Sequence, residues 1–228
     1  MPMPTFAELA KMIDHSLLQP TLTDAELEAG CRVAREYEVA SVCIKPYAVS
    51  RAVEWLRGSG VLVGTVIGFP HGGHRTNIKV AEARAAMADG ATELDVVVNV
   101  GKVLSQEYAY VRDDIAGVVA AAHAGGAKVK VIFENCFLQD EHKIELCRIC
   151  GEVRADWVKT STGYGESGAT DHDLTLMRTH APAHVQVKAA GGVRTYDRLL
   201  AVRALGVTRV GATATKAILD DCKLRAGG

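Results

Sequence analysis

Val61-Leu62-Val63-Gly64-Thr65-Val66-Ile67 is apolar or small at every position except Thr65. A strand with one face in water alternates polar and apolar residues, whereas a strand of a helix-covered parallel sheet is apolar on both faces. The run predicts the second kind. Comparable segments lie on either side of it: Ile13–Leu18, Ser41–Ile44, Leu62–Gly68, Glu93–Val100, Val129–Glu134, Trp157–Thr162, Val185–Gly191 and Thr208–Thr213. Amphipathic stretches of helical length separate them. The first opens with Thr23-Asp24-Ala25-Glu26, a capping box in which Thr23 and Glu26 satisfy free N–H groups. The others are Tyr47–Arg57, Thr76–Asp89, Glu107–Ala124, Glu141–Arg154, Thr170–Thr179, Tyr196–Ala204 and a last from about Thr215 to Cys222.

Helix follows strand each time, which requires parallel connections. Eight such units close a barrel, so the expected class is α/β, a single (β/α)8 or TIM barrel spanning residues 1–228 as one domain. An open doubly wound sheet is the alternative. No Gly-rich dinucleotide fingerprint follows the early strands, and turns suited to phosphate cluster after the last three, which favours the barrel.

The formal net charge of −1, with mixed signs along the chain, offers no basic stripe for nucleic acid. No apolar run approaches a membrane span, and Met1-Pro2-Met3-Pro4-Thr5-Phe6-Ala7-Glu8 lacks the basic start and apolar centre of a secretory signal. The expectation is a cytoplasmic protein acting on small molecules, without nucleic-acid or membrane partners. Six cysteines then read as reduced thiols. Cys147-Arg148-Ile149-Cys150 is formally a C-x-x-C, but it lies in a helical pattern with no second pair at zinc spacing and reads as core. His71-Gly72-Gly73-His74 lacks obvious partner ligands nearby, so no metal is expected.

Two lysines end two short apolar segments: Lys159 in Trp157-Val158-Lys159-Thr160-Ser161-Thr162-Gly163 and Lys188 in Val185-Gln186-Val187-Lys188-Ala189-Ala190-Gly191-Gly192. One such lysine is usually a strand-end charge reaching for water. Two with matching surroundings read differently, because an amine pressed among apolar residues loses hydration and with it some of its affinity for a proton. One would be a nucleophile and the other its neighbouring cation. Each is followed by a turn able to present N–H groups to an anion, Ser161–Gly165 and Ala190–Arg194. The combination suggests chemistry on a phosphorylated carbonyl compound.

Glu93-Leu94-Asp95-Val96-Val97-Val98-Asn99-Val100-Gly101 places Asp95 among apolar residues, where a carboxylate needs a cation. Alternation points Asp95 inward with Val97 and Asn99, towards the lysines. A structural salt bridge is the plain reading; beside paired lysines, proton transfer is favoured. Lys130 and Glu134 share a face with Ile132 and extend the polar network.

The chain resembles the deoxyribose-phosphate aldolases, class I aldolases on a TIM barrel. The resemblance rests on Ile13-Asp14-His15-Ser16-Leu17-Leu18, Gly68-Phe69-Pro70-His71-Gly72, Lys79-Val80-Ala81-Glu82-Ala83 and Leu94-Asp95-Val96-Val97. Most specific are Val158-Lys159-Thr160-Ser161-Thr162-Gly163 and Val187-Lys188-Ala189-Ala190-Gly191-Gly192-Val193-Arg194-Thr195, in that order. It implies that Lys159 forms the Schiff base, that Lys188 lowers its pKa, and that Asp95 acts with water in proton transfer. It also implies reversible cleavage of 2-deoxy-D-ribose 5-phosphate to acetaldehyde and D-glyceraldehyde 3-phosphate, in deoxyribonucleoside catabolism, without cofactor or metal. The expected substrate contacts are Asp14, Cys43, Lys130, Thr160, Gly163, Gly191, Gly192, Val193, Arg194, Gly211 and Thr213, and a homo-oligomer is expected. Gly211-Ala212-Thr213-Ala214-Thr215 departs from the family's usual serine-containing turn, the terminal tyrosine of some relatives is absent, and Asn135 replaces a common threonine. Alternative readings are a Schiff-base aldolase or transaldolase for another phosphorylated sugar, and a barrel that binds sugar phosphates without turnover.

Overall fold

Alternation within each strand divides its side chains between two environments, and this division builds the site. The computed structural model describes residues 4–226. A short helix α1 (Phe6–Ala10) precedes β1 (Ile13–Leu17), α2 (Asp24–Glu36), β2 (Ser41–Ile44), α3 (Val49–Trp55), β3 (Leu62–Ile67), α4 (Thr76–Ala88) and β4 (Glu93–Val97). Then come α5 (Val100–Leu104), α6 (Tyr108–Ala124), β5 (Lys128–Ile132), α7 (Asp140–Glu152), β6 (Trp157–Lys159), α8 (Asp171–His180), β7 (Gln186–Ala190), α9 (Tyr196–Ala204), β8 (Arg209–Ala212) and α10 (Thr215–Ala226). Every strand pairs in parallel with its sequence neighbours and β8 closes on β1. The open-sheet alternative is thereby excluded.

One parity of each strand faces the helices. Val42, Ile44, Leu94, Val96, Val129, Val131, Val158, Val187, Ala189 and Val210 are buried there against the helical layer and carry the apolar core. The other parity faces the barrel interior, and in this chain it is charged: Asp14 on β1, Glu93 and Asp95 on β4, Lys130 on β5, Lys159 on β6, Lys188 on β7 and Arg209 on β8, all buried. The register lines these up, pairing Asp95 with Lys130, Lys159 with Lys188, and Lys188 with Arg209.

The capping box expected at Thr23 and Glu26 forms at the start of α2, and a second one, Thr5 with Glu8, opens the unexpected α1. Two expectations at strand ends are corrected. Asn99 does not continue β4 inward; its side chain accepts from the Lys102 N–H and caps α5, a helix absent from the sequence reading. Glu134 has φ 57°, which turns the chain out of β5 and removes Glu134 from the face shared by Lys130 and Ile132. Met1–Met3 of the signal reading and Gly227-Gly228 of the tail lie outside the described residues.

Candidate active site

The C-terminal ends of the strands open into a cavity of about 220 Å³. Lys159 and Lys188 both reach it, together with Asp14, Cys43 and, from the loops, Gly163, Gly191, Gly192, Val193, Arg194, Gly211 and Thr213. Eleven of the fourteen residues expected to act or bind are therefore brought together. Asp95, Lys130 and Thr160 are outside the lining. Asp95 sits behind the two lysines, and Lys130 behind Asp95. Thr160 is buried with its hydroxyl between the Ala190 N–H and C=O, each 3.0 Å away, so it ties β6 to β7 instead of facing the cavity.

Hydrogen bonds order the interior into one network. Lys159 Nζ donates to Asp95 Oδ2 at 2.7 Å, and Lys188 Nζ donates to the same oxygen at 2.8 Å and to Asp14 Oδ2. Lys130 Nζ donates to Asp95 Oδ1 at 3.0 Å and to Glu93 Oε2 at 2.6 Å. Arg209 binds Asp14 Oδ1 at 2.6 Å and both oxygens of Glu93 at 3.0 and 3.1 Å, while Ser41 donates to Asp14 at 2.7 Å. Glu93, Arg209 and Ser41 were missed by sequence reading, although Glu93 and Arg209 stand two residues before Asp95 and Gly211 and share their parity.

Three carboxylates thus face four bases. With every group charged the interior holds a net positive charge, which burial makes costly; loss of one proton neutralises it. Lys130, Lys188 and Arg209 each contact at least two carboxylates, whereas among the described residues Lys159 has only the shared Asp95 oxygen. The proton affinities follow. Burial, aided by the Lys188 charge, pushes Lys159 below the ordinary lysine value despite its contact with Asp95. Burial acts on Lys188 as well, but Asp14 and Asp95 outweigh it and hold that amine above its ordinary value. Asp14 and Asp95 resist the upward pull of burial and are held low, Asp14 chiefly by Lys188 and Asp95 chiefly by Lys130. The Cys43 thiol is pushed up to about 11 by burial and by Asp95, so it enters the cavity wall as a neutral thiol.

Across the mouth, the turns after β7 and β8 supply backbone donors. Gly191 has φ 82°, and a Cβ there would lie 2.7 Å from the Cα of Gly168, so only glycine lets these two loops touch. Gly191 also accepts the Ala169 N–H at 2.9 Å. Opposite, Glu134 accepts from the backbone and hydroxyl of Thr162, and the Tyr164 hydroxyl donates to the Leu18 carbonyl at 2.9 Å. Ser16 and Tyr164 also line the cavity; both lie in segments quoted above but were given no role there, while Gln19, which lines it too, belongs to no motif singled out in the sequence.

A parallel barrel with a proton-poor amine at its C-terminal mouth, beside donors suited to an anion, is built like the enzymes that work on carbonyl compounds through lysine. Comparison with known proteins narrows the class. The chain belongs to the DeoC/LacD family of aldolases, whose pattern matches residues 8–214. It is 57% identical to the deoxyribose-phosphate aldolase of Rhodopirellula baltica over 97% of this chain and 92% of that one. Identity to the deoxyribose-phosphate aldolase of Thermococcus gammatolerans is 45%, covering 95% and 97%. Among solved structures, the tetrameric deoxyribose phosphate aldolase of Aeropyrum pernix superposes with a TM-score of 0.89 at 30% identity, over 96% of this chain and 92% of that one.

Proposed function

We propose that the chain is a class I aldolase that reversibly cleaves 2-deoxy-D-ribose 5-phosphate to acetaldehyde and D-glyceraldehyde 3-phosphate, with Lys159 as the Schiff-base lysine. The observation that carries this is the Lys159 amine itself: buried, short of carboxylate partners, and open to the cavity. Its free amine attacks C1 of the open-chain sugar, and loss of water leaves an imine. Once protonated, that imine accepts the electrons of the C2–C3 bond as the proton of the C3 hydroxyl departs, releasing glyceraldehyde 3-phosphate and leaving an enamine. Protonation at C2 and hydrolysis then release acetaldehyde and restore the amine. Asp95, in contact with both amines, is assigned the proton transfers at Lys159 together with water. Lys188 keeps its charge and disfavours a second one beside it.

The phosphate is assigned to the turns at Gly191–Arg194 and Gly211–Thr213, where N–H groups and the Arg194 guanidinium favour an anion. The proposed reaction belongs to deoxyribonucleoside breakdown, and the cytoplasm is the proposed location. A homo-oligomeric state is proposed by analogy with the tetrameric Aeropyrum pernix protein. The direct test is incubation with deoxyribose 5-phosphate followed by assay of both products. Equimolar acetaldehyde and glyceraldehyde 3-phosphate are expected; neither product appearing overturns the reading.

A further inference from the structure

Arg209 lies outside the cavity lining, and among the described cavity residues it binds Asp14 alone. Of the four interior bases described, it is nonetheless the one that is permanently charged, since a guanidinium does not deprotonate in proteins. Its position is fixed from two sides. Below it the Trp157 ring carries the guanidinium 5.1 Å from its centroid, with the indole N–H held by Thr208 at 3.1 Å; above it stand Asp14 and Glu93. Trp157 is two residues before Lys159 on the same strand face.

We propose that Arg209 is a positioning residue for the Schiff-base lysine: by sharing Asp14 with Lys188 and Glu93 with Lys130, it leaves both lysines leaning on Asp95 as well, so that Lys159 has no carboxylate of its own. The groups facing Lys159 are few enough to follow the charge. Among the described residues, Asp95 on β4, Lys188 on β7 and Cys43 on β2 act on Lys159 directly; one contact further back stand Glu93 on β4, Lys130 on β5, Asp14 on β1 and Arg209 on β8, and β3 contributes Gly64 and Val66 to this level. With the guanidinium removed, Glu93 is left to Lys130 alone and Asp14 to Lys188 alone, contacts both lysines already make, and Asp95 is free to hold a Lys159 ammonium. Three carboxylates then match three lysines. The amine keeps its proton and loses nucleophilicity at neutral pH.

The inference rests on Lys159 being the Schiff-base lysine, and borohydride trapping with acetaldehyde across a pH series separates the two claims. In the unaltered protein a Lys159 adduct is expected, and its absence overturns the mechanism with the inference. Arg209→Met should move the trapping profile to higher pH, with about a tenfold slower rate near neutrality recovered in alkali, the effect of a one-unit change in proton affinity. Arg209→Lys, which restores the charge, should return the profile most of the way. Glu93→Gln removes a carboxylate and should move it the opposite way, to lower pH. If Arg209→Met does not fold, the sign of the Glu93→Gln shift decides. Adduct formation with unmoved profiles, including a uniform loss of rate at every pH, would show a merely structural arginine and overturn the proposal.

Discussion

Lys159 and Lys188 stand directly opposite each other in the β6–β7 register and donate to the same oxygen of Asp95, at 2.7 and 2.8 Å. The two amines are therefore not equivalent. Lys188 has Asp14 as a second partner and Lys159 has none among the described residues, so the shared carboxylate serves the cation that is already secured.

The first expected outcome concerns which lysine reacts. Borohydride reduction with acetaldehyde should add an ethyl group at Lys159, and Lys159→Leu should abolish both the adduct and cleavage. Peptide mapping reads the site. An adduct on Lys188 in the unaltered protein reverses the assignment.

Removing Lys188 should leave the nucleophile in place but more strongly protonated. Its like charge is one of the influences that depress Lys159, second to burial among those acting downward. In Lys188→Leu, trapping at Lys159 should persist with its pH dependence moved to higher pH. Asp14 keeps Arg209 and Ser41 but loses an ion pair, so urea unfolding should also show a loss of roughly 3–5 kcal/mol, typical of breaking one side of a buried pair. An unshifted profile contradicts the assigned role.

The barrel was legible because its strands obey a period of two under burial on both faces, and this rule alone turned Asp95 towards the lysines. It gave out where local hydrogen bonding ended a strand. Asn99 looked like a continuation of β4, yet its side chain is a better N-cap than an inward group, and α5 begins there. Glu134 leaves its strand through a left-handed backbone that no nearby glycine announced. Glu93 and Arg209 had the right parity but sat at strand starts, where a charge usually marks the boundary with water. Only the closed register, which brings β8 back to β1 and carries β4 around to face them, shows that their charges meet inside.

Chelation should leave the activity intact. The protonated imine already supplies the electron sink that a metal-dependent aldolase obtains from its ion. Exhaustive dialysis against EDTA followed by the acetaldehyde assay checks this. A loss of activity reversed by zinc would assign polarisation of the carbonyl to a metal and not to Lys159.

His15 should make the fold sensitive to mild acid. It faces the helical layer with Nδ1 2.8 Å from Thr215 Oγ1, and burial pushes its imidazole from 6.5 down to about 4. Between those values the unfolded chain binds a proton that the folded chain refuses, so stability falls as pH drops through the window, by about 3 kcal/mol in all. His15→Gln should flatten the change in urea midpoint between about pH 6.5 and 4. The depressed Asp14 and Asp95 add stability that is present above about pH 4 and lost below it, so the steeper acid loss should remain in the variant.

The phosphate end of the site yields the last expectation. Donors at Gly191–Arg194 and Gly211–Thr213 border the cavity on the β7–β8 side, and a dianion there gains both from oriented N–H groups and from Arg194. The kcat/KM for deoxyribose 5-phosphate should exceed that for deoxyribose by at least about tenfold, the worth of one charge-assisted hydrogen bond. Gly191→Ala isolates the backbone contribution. Its methyl group meets Gly168 in a left-handed conformation that alanine adopts poorly, so the two loops must part and the cradle loses its shape. The variant should raise KM for the phosphorylated sugar while trapping of acetaldehyde at Lys159, which needs no phosphate site, continues at nearly its original rate. Equal specificity constants for the two sugars in the unaltered protein would remove the phosphate from these turns. A matching loss of acetaldehyde trapping in Gly191→Ala would show that the loops support Lys159 itself.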